Sequence, residues 1–93
     1  MRESTIEAYL RDRVKELGGK AYKFVSPGND GVPDRLVCLP WGKGVFVELK
    51  APGKKSTKLQ ELQQNRLKQM GFGVWVIDSQ EMVDRFISEV KGR

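Results

Sequence analysis

Apolar residues recur at helical spacing along the first part of the chain, at Ile6, Leu10, Val14 and Leu17 with Tyr9 beside them, and predict a helix from Glu3 to Leu17. Gly18-Gly19 ends it, as glycine past the last apolar residue of a helix commonly does. Ala21 to Val25 reads as a short strand, and Ser26 to Gly31 is dense enough in turn formers to be a loop. Pro33 biases Val32 toward an extended backbone and leads into a strand from Asp34 to Leu39. Pro40 to Gly44 reads as a hairpin connection and Val45 to Lys50 as the return strand, closed by Ala51-Pro52-Gly53. Ser56 or Thr57 can cap a second long helix whose apolar face is Leu59, Leu62, Leu67 and Met70, with Gly71 at its end. Gly73 to Asp78 is apolar enough to be expected buried on both faces of a sheet. A last helix, from about Ser79 to Val90, carries Met82, Val83, Phe86, Ile87 and Val90. The expected order is αβββαβα, a mixed α/β fold without repeats, and 93 residues fit one domain spanning 1–93.

Composition then removes whole classes of chemistry. The chain has no histidine, which excludes an imidazole base or nucleophile partner. One cysteine, Cys38, cannot form an internal disulfide, and without histidine it cannot supply the usual ligands of a zinc site. Any metal must be a hard cation held by carboxylates and carbonyls. No apolar run approaches a membrane span and no apolar stretch follows Arg2 and Glu3, so a cytoplasmic protein without a membrane partner or organic cofactor is expected. A net charge of +5 points toward a polyanion.

Side chains alternate along Val45 to Lys50, so Val45, Val47 and Leu49 share one face and Phe46, Glu48 and Lys50 the other. An acid and a lysine thus project side by side from the end of an apolar strand, a costly place for charge unless something compensates. In a hairpin turning near Trp41 to Gly44, the start of one strand lies opposite the end of the other. Asp34 is therefore expected beside Glu48 and Lys50. Singly, each signal is weak: Glu48 and Lys50 could be an ordinary ion pair, and aspartate often opens a strand after a turn. In order and on paired strands, they make a hard-cation site with an attached positive charge.

Gly31-Val32-Pro33-Asp34, then Val47-Glu48-Leu49-Lys50, then Gln60 on a helix ending at Gly71, resemble the VRR-NUC (virus-type replication–repair nuclease) family. The resemblance runs over nearly the whole chain and implies the PD-(D/E)XK, restriction-endonuclease-like core. It implies a Mg²⁺- or Mn²⁺-dependent endodeoxyribonuclease, similar to Holliday-junction resolvases, working as a homodimer encoded by a phage or prophage in a bacterial host. Asp34 and Glu48 would hold the metal, helped by the Leu49 carbonyl, with Lys50 as the motif lysine. Glu7 matches the first-helix acid brought toward the metal, although Glu3, one turn earlier, is a rival. Gln60 matches the family's helix glutamine; it also fits a capping box with Thr57, and a helical wheel favours Gln63 as the inward group. Flanking carboxylates favour the charged form of Lys50, which assigns it an electrostatic role rather than that of a base. Lys54, Lys55 and Lys58 could grip backbone phosphates or simply face solvent. Trp41, Phe72 and Trp75 are candidates for a partner surface, with core packing as their plainer explanation. Two other readings stay open: a non-catalytic phage DNA-binding protein, and a nuclease of the same superfamily acting on linear or flap DNA.

Overall fold

The computed structural model describes residues 1–91, in the order α1 (Glu3–Glu16), β1 (Lys20–Lys23), β2 (Arg35–Leu39), β3 (Lys43–Leu49), α2 (Lys58–Gln69), β4 (Gly73–Ile77) and α3 (Gln80–Lys91). The strands form one sheet in the order β1-β2-β3-β4, antiparallel across β1, β2 and β3 and parallel between β3 and β4. The turn residues around Gly42 explain the β2–β3 hairpin register, and the α2 crossover explains the parallel pair, which no short turn could join. The expected order αβββαβα is the observed one.

One face of the sheet is covered by α1 and α3. The predicted stripe of α1 is buried here: Ile6, Leu10 and Val14 meet Val37, Val47 and Leu49 from the strands and Val83, Phe86 and Val90 from α3. Each such side chain contributes roughly 1.5–3 kcal/mol of transfer free energy, so this layer dominates the stability of the fold. Gly18, at φ +84°, takes the left-handed turn that ends α1, with Gly19 N–H donating to the Val14 carbonyl at 3.1 Å. Ser79 starts α3 by accepting from the Met82 N–H at 3.0 Å. Among the described residues no helix is long and apolar enough to cross a membrane.

The opposite face carries Phe24, Phe46 and Phe72 in edge-to-face contact, at centroid distances of 5.3 and 5.7 Å. Here two expectations fail. The apolar stripe of α2 does not face inward: Leu59, Leu62 and Met70 are 47, 46 and 66% exposed. Its inward face runs instead through Gln60, Gln64 and Leu67, at positions i, i+4 and i+7, because it lies over the charged end of β3. Nor is β4 buried on both faces. It is an edge strand, with Val74, Trp75 and Val76 only partly covered and Ile77 alone fully buried. The first strand also begins earlier than its apolar residues suggest; Val25 lies beyond it and is 78% exposed.

Candidate active site

The register Arg35↔Val47 puts Asp34, one residue before β2, opposite Glu48 near the end of β3. Two further bonds fix this corner. Phe24 N–H donates to the Asp34 carbonyl at 2.9 Å, and Leu49 N–H donates to Asp34 Oδ1 at 3.2 Å. Pro33, fully buried, holds the approach to the strand.

Glu48 is buried at 4% exposure and shares its face with Lys50. Lys50 Nζ lies 3.7 Å from Glu48 Oε2, and Gln60 bridges the two: its Nε2 donates to Glu48 Oε2 at 3.0 Å while its Oε1 accepts from Lys50 Nζ at 2.6 Å. The same Oε1 accepts from Thr57 N–H at 2.9 Å, and Thr57 Oγ1 accepts from Gln60 N–H at 3.2 Å. The two explanations of Gln60 thus coexist, since the capping box of α2 and the bridge between Glu48 and Lys50 share one oxygen atom. Gln63 turns elsewhere and donates to the Asp30 carbonyl at 3.2 Å. The buried glutamine of the helix is Gln64, bonded to Ser56 Oγ at 3.0 Å.

The electrostatics of the carboxylate pair are unfavourable by construction. Burial pushes the Glu48 carboxyl up to about 7, with the charge of Asp34 adding to the shift and Lys50 opposing it. Burial also raises Asp34, against the bond from Leu49 N–H, and the charge of Glu3 raises both groups. A cation between the two would relieve their repulsion, and their oxygens suit a hard one. Among the described residues no third acid joins them closely enough to complete a metal-holding cluster. Two carboxylates with the remaining positions left to water or carbonyl oxygen are a normal donor set for Mg²⁺.

Glu7 is not part of this gathering. Its carboxylate pairs with Arg35 at 2.7 Å, and that contact holds it below the usual carboxylate range. Arg35 is buried on the α1 face and also donates to the Ala21 carbonyl at 2.9 Å. The sequence reasoning missed this residue, although alternation places it with Val37 and Leu39, where a buried guanidinium requires a partner. Glu3 is the first-helix acid whose charge reaches both members of the pair. Lys54 and Lys55 are exposed on the segment joining β3 to α2, which is tied back by Gly53 N–H donating to Asp78 Oδ2 at 3.4 Å, and Lys58 is exposed at the start of α2.

A mixed sheet between helices, with an aspartate opening one strand and Glu-x-Lys ending its antiparallel neighbour, is the PD-(D/E)XK nuclease arrangement. No family model matches the chain. It is 55% identical, over 82 residues that make up 88% of each sequence, to the protein named "Putative nuclease p44" of Acyrthosiphon pisum secondary endosymbiont phage 1. Among solved structures, one described as a VRR-NUC domain matches with a TM-score of 0.86 at 34% identity, covering 92% of this chain and 94% of that one. The chain belongs to the VRR-NUC family of nucleases.

Proposed function

We propose that this nuclease hydrolyses phosphodiester bonds in branched DNA, four-way junctions first among them, in a reaction that depends on Mg²⁺ or Mn²⁺. The observation that carries the reading is the mutually repelling Asp34–Glu48 pair at the sheet end, with Lys50 held beside it by Gln60. A divalent cation bound by Asp34, Glu48 and the Leu49 carbonyl would acidify the attacking water and polarise the phosphoryl oxygen. Lys50, fixed by the Gln60 oxygen, offers a positive charge to the developing phosphorane and orients the attacking oxygen. Gln60 fixes Glu48 and Lys50 relative to each other, since its amide contacts both while their own charged atoms lie 3.7 Å apart. Glu3 adds negative potential at the metal position, and Glu7 acts there indirectly, through Arg35. Lys54, Lys55 and Lys58 are assigned to backbone phosphates beside the cut.

The proposed working unit is a homodimer, because symmetric cutting of a four-way junction needs two sites related by a two-fold axis. Leu59, Leu62, Met70 and Phe72, all about half exposed or more, supply apolar surface for it. Trp41 is 44% exposed at the hairpin turn, whereas Trp75 packs edge-to-face on Phe86 and belongs to the core margin.

Purified protein should be assayed on four-way junctions, flaps and linear duplex with Mg²⁺, Mn²⁺ or chelator. Paired cuts in the junction with either metal, and none with chelator, are expected, with light scattering giving twice the monomer mass. Cleavage that survives chelation, or equal cutting of all substrates, would overturn the metal or the substrate part of the reading respectively. A monomer that nicks flaps would transfer the site to the flap-cutting alternative.

A further inference from the structure

Helix α1 carries four charges at i+4 spacing on one face: Glu3, Glu7, Arg11 and Lys15. The sign changes along this stripe. Glu3 acts on the catalytic carboxylates, Glu7 feels both Arg11 and Lys23, and farther on Arg11 and Lys15 line a groove of about 310 Å³ with Lys20, Gly19 and Ala21. The groove runs between α1 and β1, and the two elements lead back to the same end of the sheet. There, Phe24 N–H meets the Asp34 carbonyl just beyond β1.

Two acids near these cations are used elsewhere, and Asp12, the exposed acid beside Arg11, forms no ion pair with any of them among the described residues. Glu16 pairs with Arg13 at 2.6 Å, and Asp84 accepts from Tyr9 Oη at 2.6 Å. Among the described residues, Arg11, Lys15 and Lys20 stand outside the ion pairs, although the Lys20 ammonium lies 5.0 Å from the Tyr22 ring centroid. A helix-dipole role accounts for Lys15, in the last turn of α1, but not for Arg11 in mid-helix or for Lys20 on the strand. Three exposed cations around one groove, with no acid in its lining, are held at a cost of mutual repulsion that a polyanion removes.

We propose that the α1–β1 groove is a second binding surface for the DNA backbone, leading a duplex arm away from the catalytic end of the sheet. The inference rests on the nuclease reading and adds the course of the substrate to it. From Glu3 to Lys15 the helix rises about 18 Å, the length of about five base pairs. The contact is therefore with phosphates several nucleotides from the scissile bond, and it is indifferent to sequence.

The test is binding of duplex and junction DNA, in chelator, by protein carrying Arg11→Gln, Lys15→Gln and Lys20→Gln together. A roughly tenfold weaker Kd is expected, with a salt dependence shallower by about 2–3 in log–log slope, close to 0.9 per lost phosphate contact. Cleavage at saturating DNA should stay unchanged. The weakening should disappear on DNA whose arms are trimmed to fewer than about five base pairs from the cut. A charge-conserving set, Arg11→Lys, Lys15→Arg and Lys20→Arg, should bind as the parent does, and the single variants should give partial losses if the triple one unfolds. Parent-like Kd and slope in the triple variant, or equal weakening on trimmed DNA, would overturn the proposal. Binding without any cleavage by the parent protein would remove the catalytic reading while leaving the groove result to stand or fall on these Kd values.

Discussion

Arg35 and Asp34 follow one another in the chain, so their side chains leave the sheet on opposite faces, and each finds a glutamate. On the α1 face Arg35 meets Glu7, an opposite charge, in a closed pair completed by the Ala21 carbonyl. On the other face Asp34 meets Glu48, a like charge, and burial drives both carboxyls upward. Glu7 moves the other way. The first pair spends its interactions on holding α1 against β2. The second leaves an electrostatic deficit that only an added cation or proton can fill. Equal chemistry on paper, two acids and their neighbours, has become scaffold on one side and the candidate site of the proposed reaction on the other.

The comparison can be broken most directly by removing a carboxylate. Asp34→Ala and Glu48→Ala should each lower cleavage by roughly a thousandfold or more, about 4 kcal/mol of transition-state stabilisation, while DNA binding survives or tightens. Gel-based cleavage with parallel anisotropy reads both quantities, and full activity in either variant would detach the pair from catalysis. Glu7→Ala should do the reverse. It leaves a buried guanidinium without its anion and should cost about 3 kcal/mol in urea unfolding, with turnover at saturating DNA changed by only a few-fold. Loss of cleavage with unchanged stability would instead bring Glu7 to the metal, directly or through water, as the family resemblance implies.

A smaller effect sharpens the contrast through pH. The folded Glu48 carboxyl lies near 7, above its ordinary value of 4.5, so the folded state binds more protons between these values. The stability this group provides is complete below about 4.5 and is lost as pH rises through about 7. In metal-free protein, Glu48→Gln should flatten that decline and raise stability at pH 8 by about 2 kcal/mol. Urea titrations in chelator at several pH values measure it; an unchanged slope would mean that Glu48 is not the group at fault.

Much of this corner was legible in advance. Pro33, the turn residues from Pro40 to Gly44 and strict alternation along β3 were enough to bring Asp34 opposite Glu48. Periodicity also identified the buried face of α1, because Ile6, Leu10 and Val14 do face the core. It misled for α2, where leucine at 59 and 62 points outward and glutamine at 60 and 64 points in. The reason is local: that helix packs over charged strand ends, and its inward positions serve hydrogen bonding rather than apolar burial. β4 misled because an apolar strand at a sheet edge has the same composition as one in the middle. Arg35 and the groove cations went unread because their meaning depends on which element lies across from them, and pairing across elements leaves no period in the chain.

The oxygen shared by the α2 capping box and the Lys50 contact also bears on motion. The first turn of α2 cannot fray without releasing Lys50 and Glu48, because Gln60 Oε1 would leave both the helix start and the lysine at once. Local opening of that turn and disassembly of the site are one event, with one free energy. Anything that binds only the assembled corner must then slow amide hydrogen exchange at Gln60 and Glu61, whose N–H groups bond to Thr57, without any contact to the helix itself.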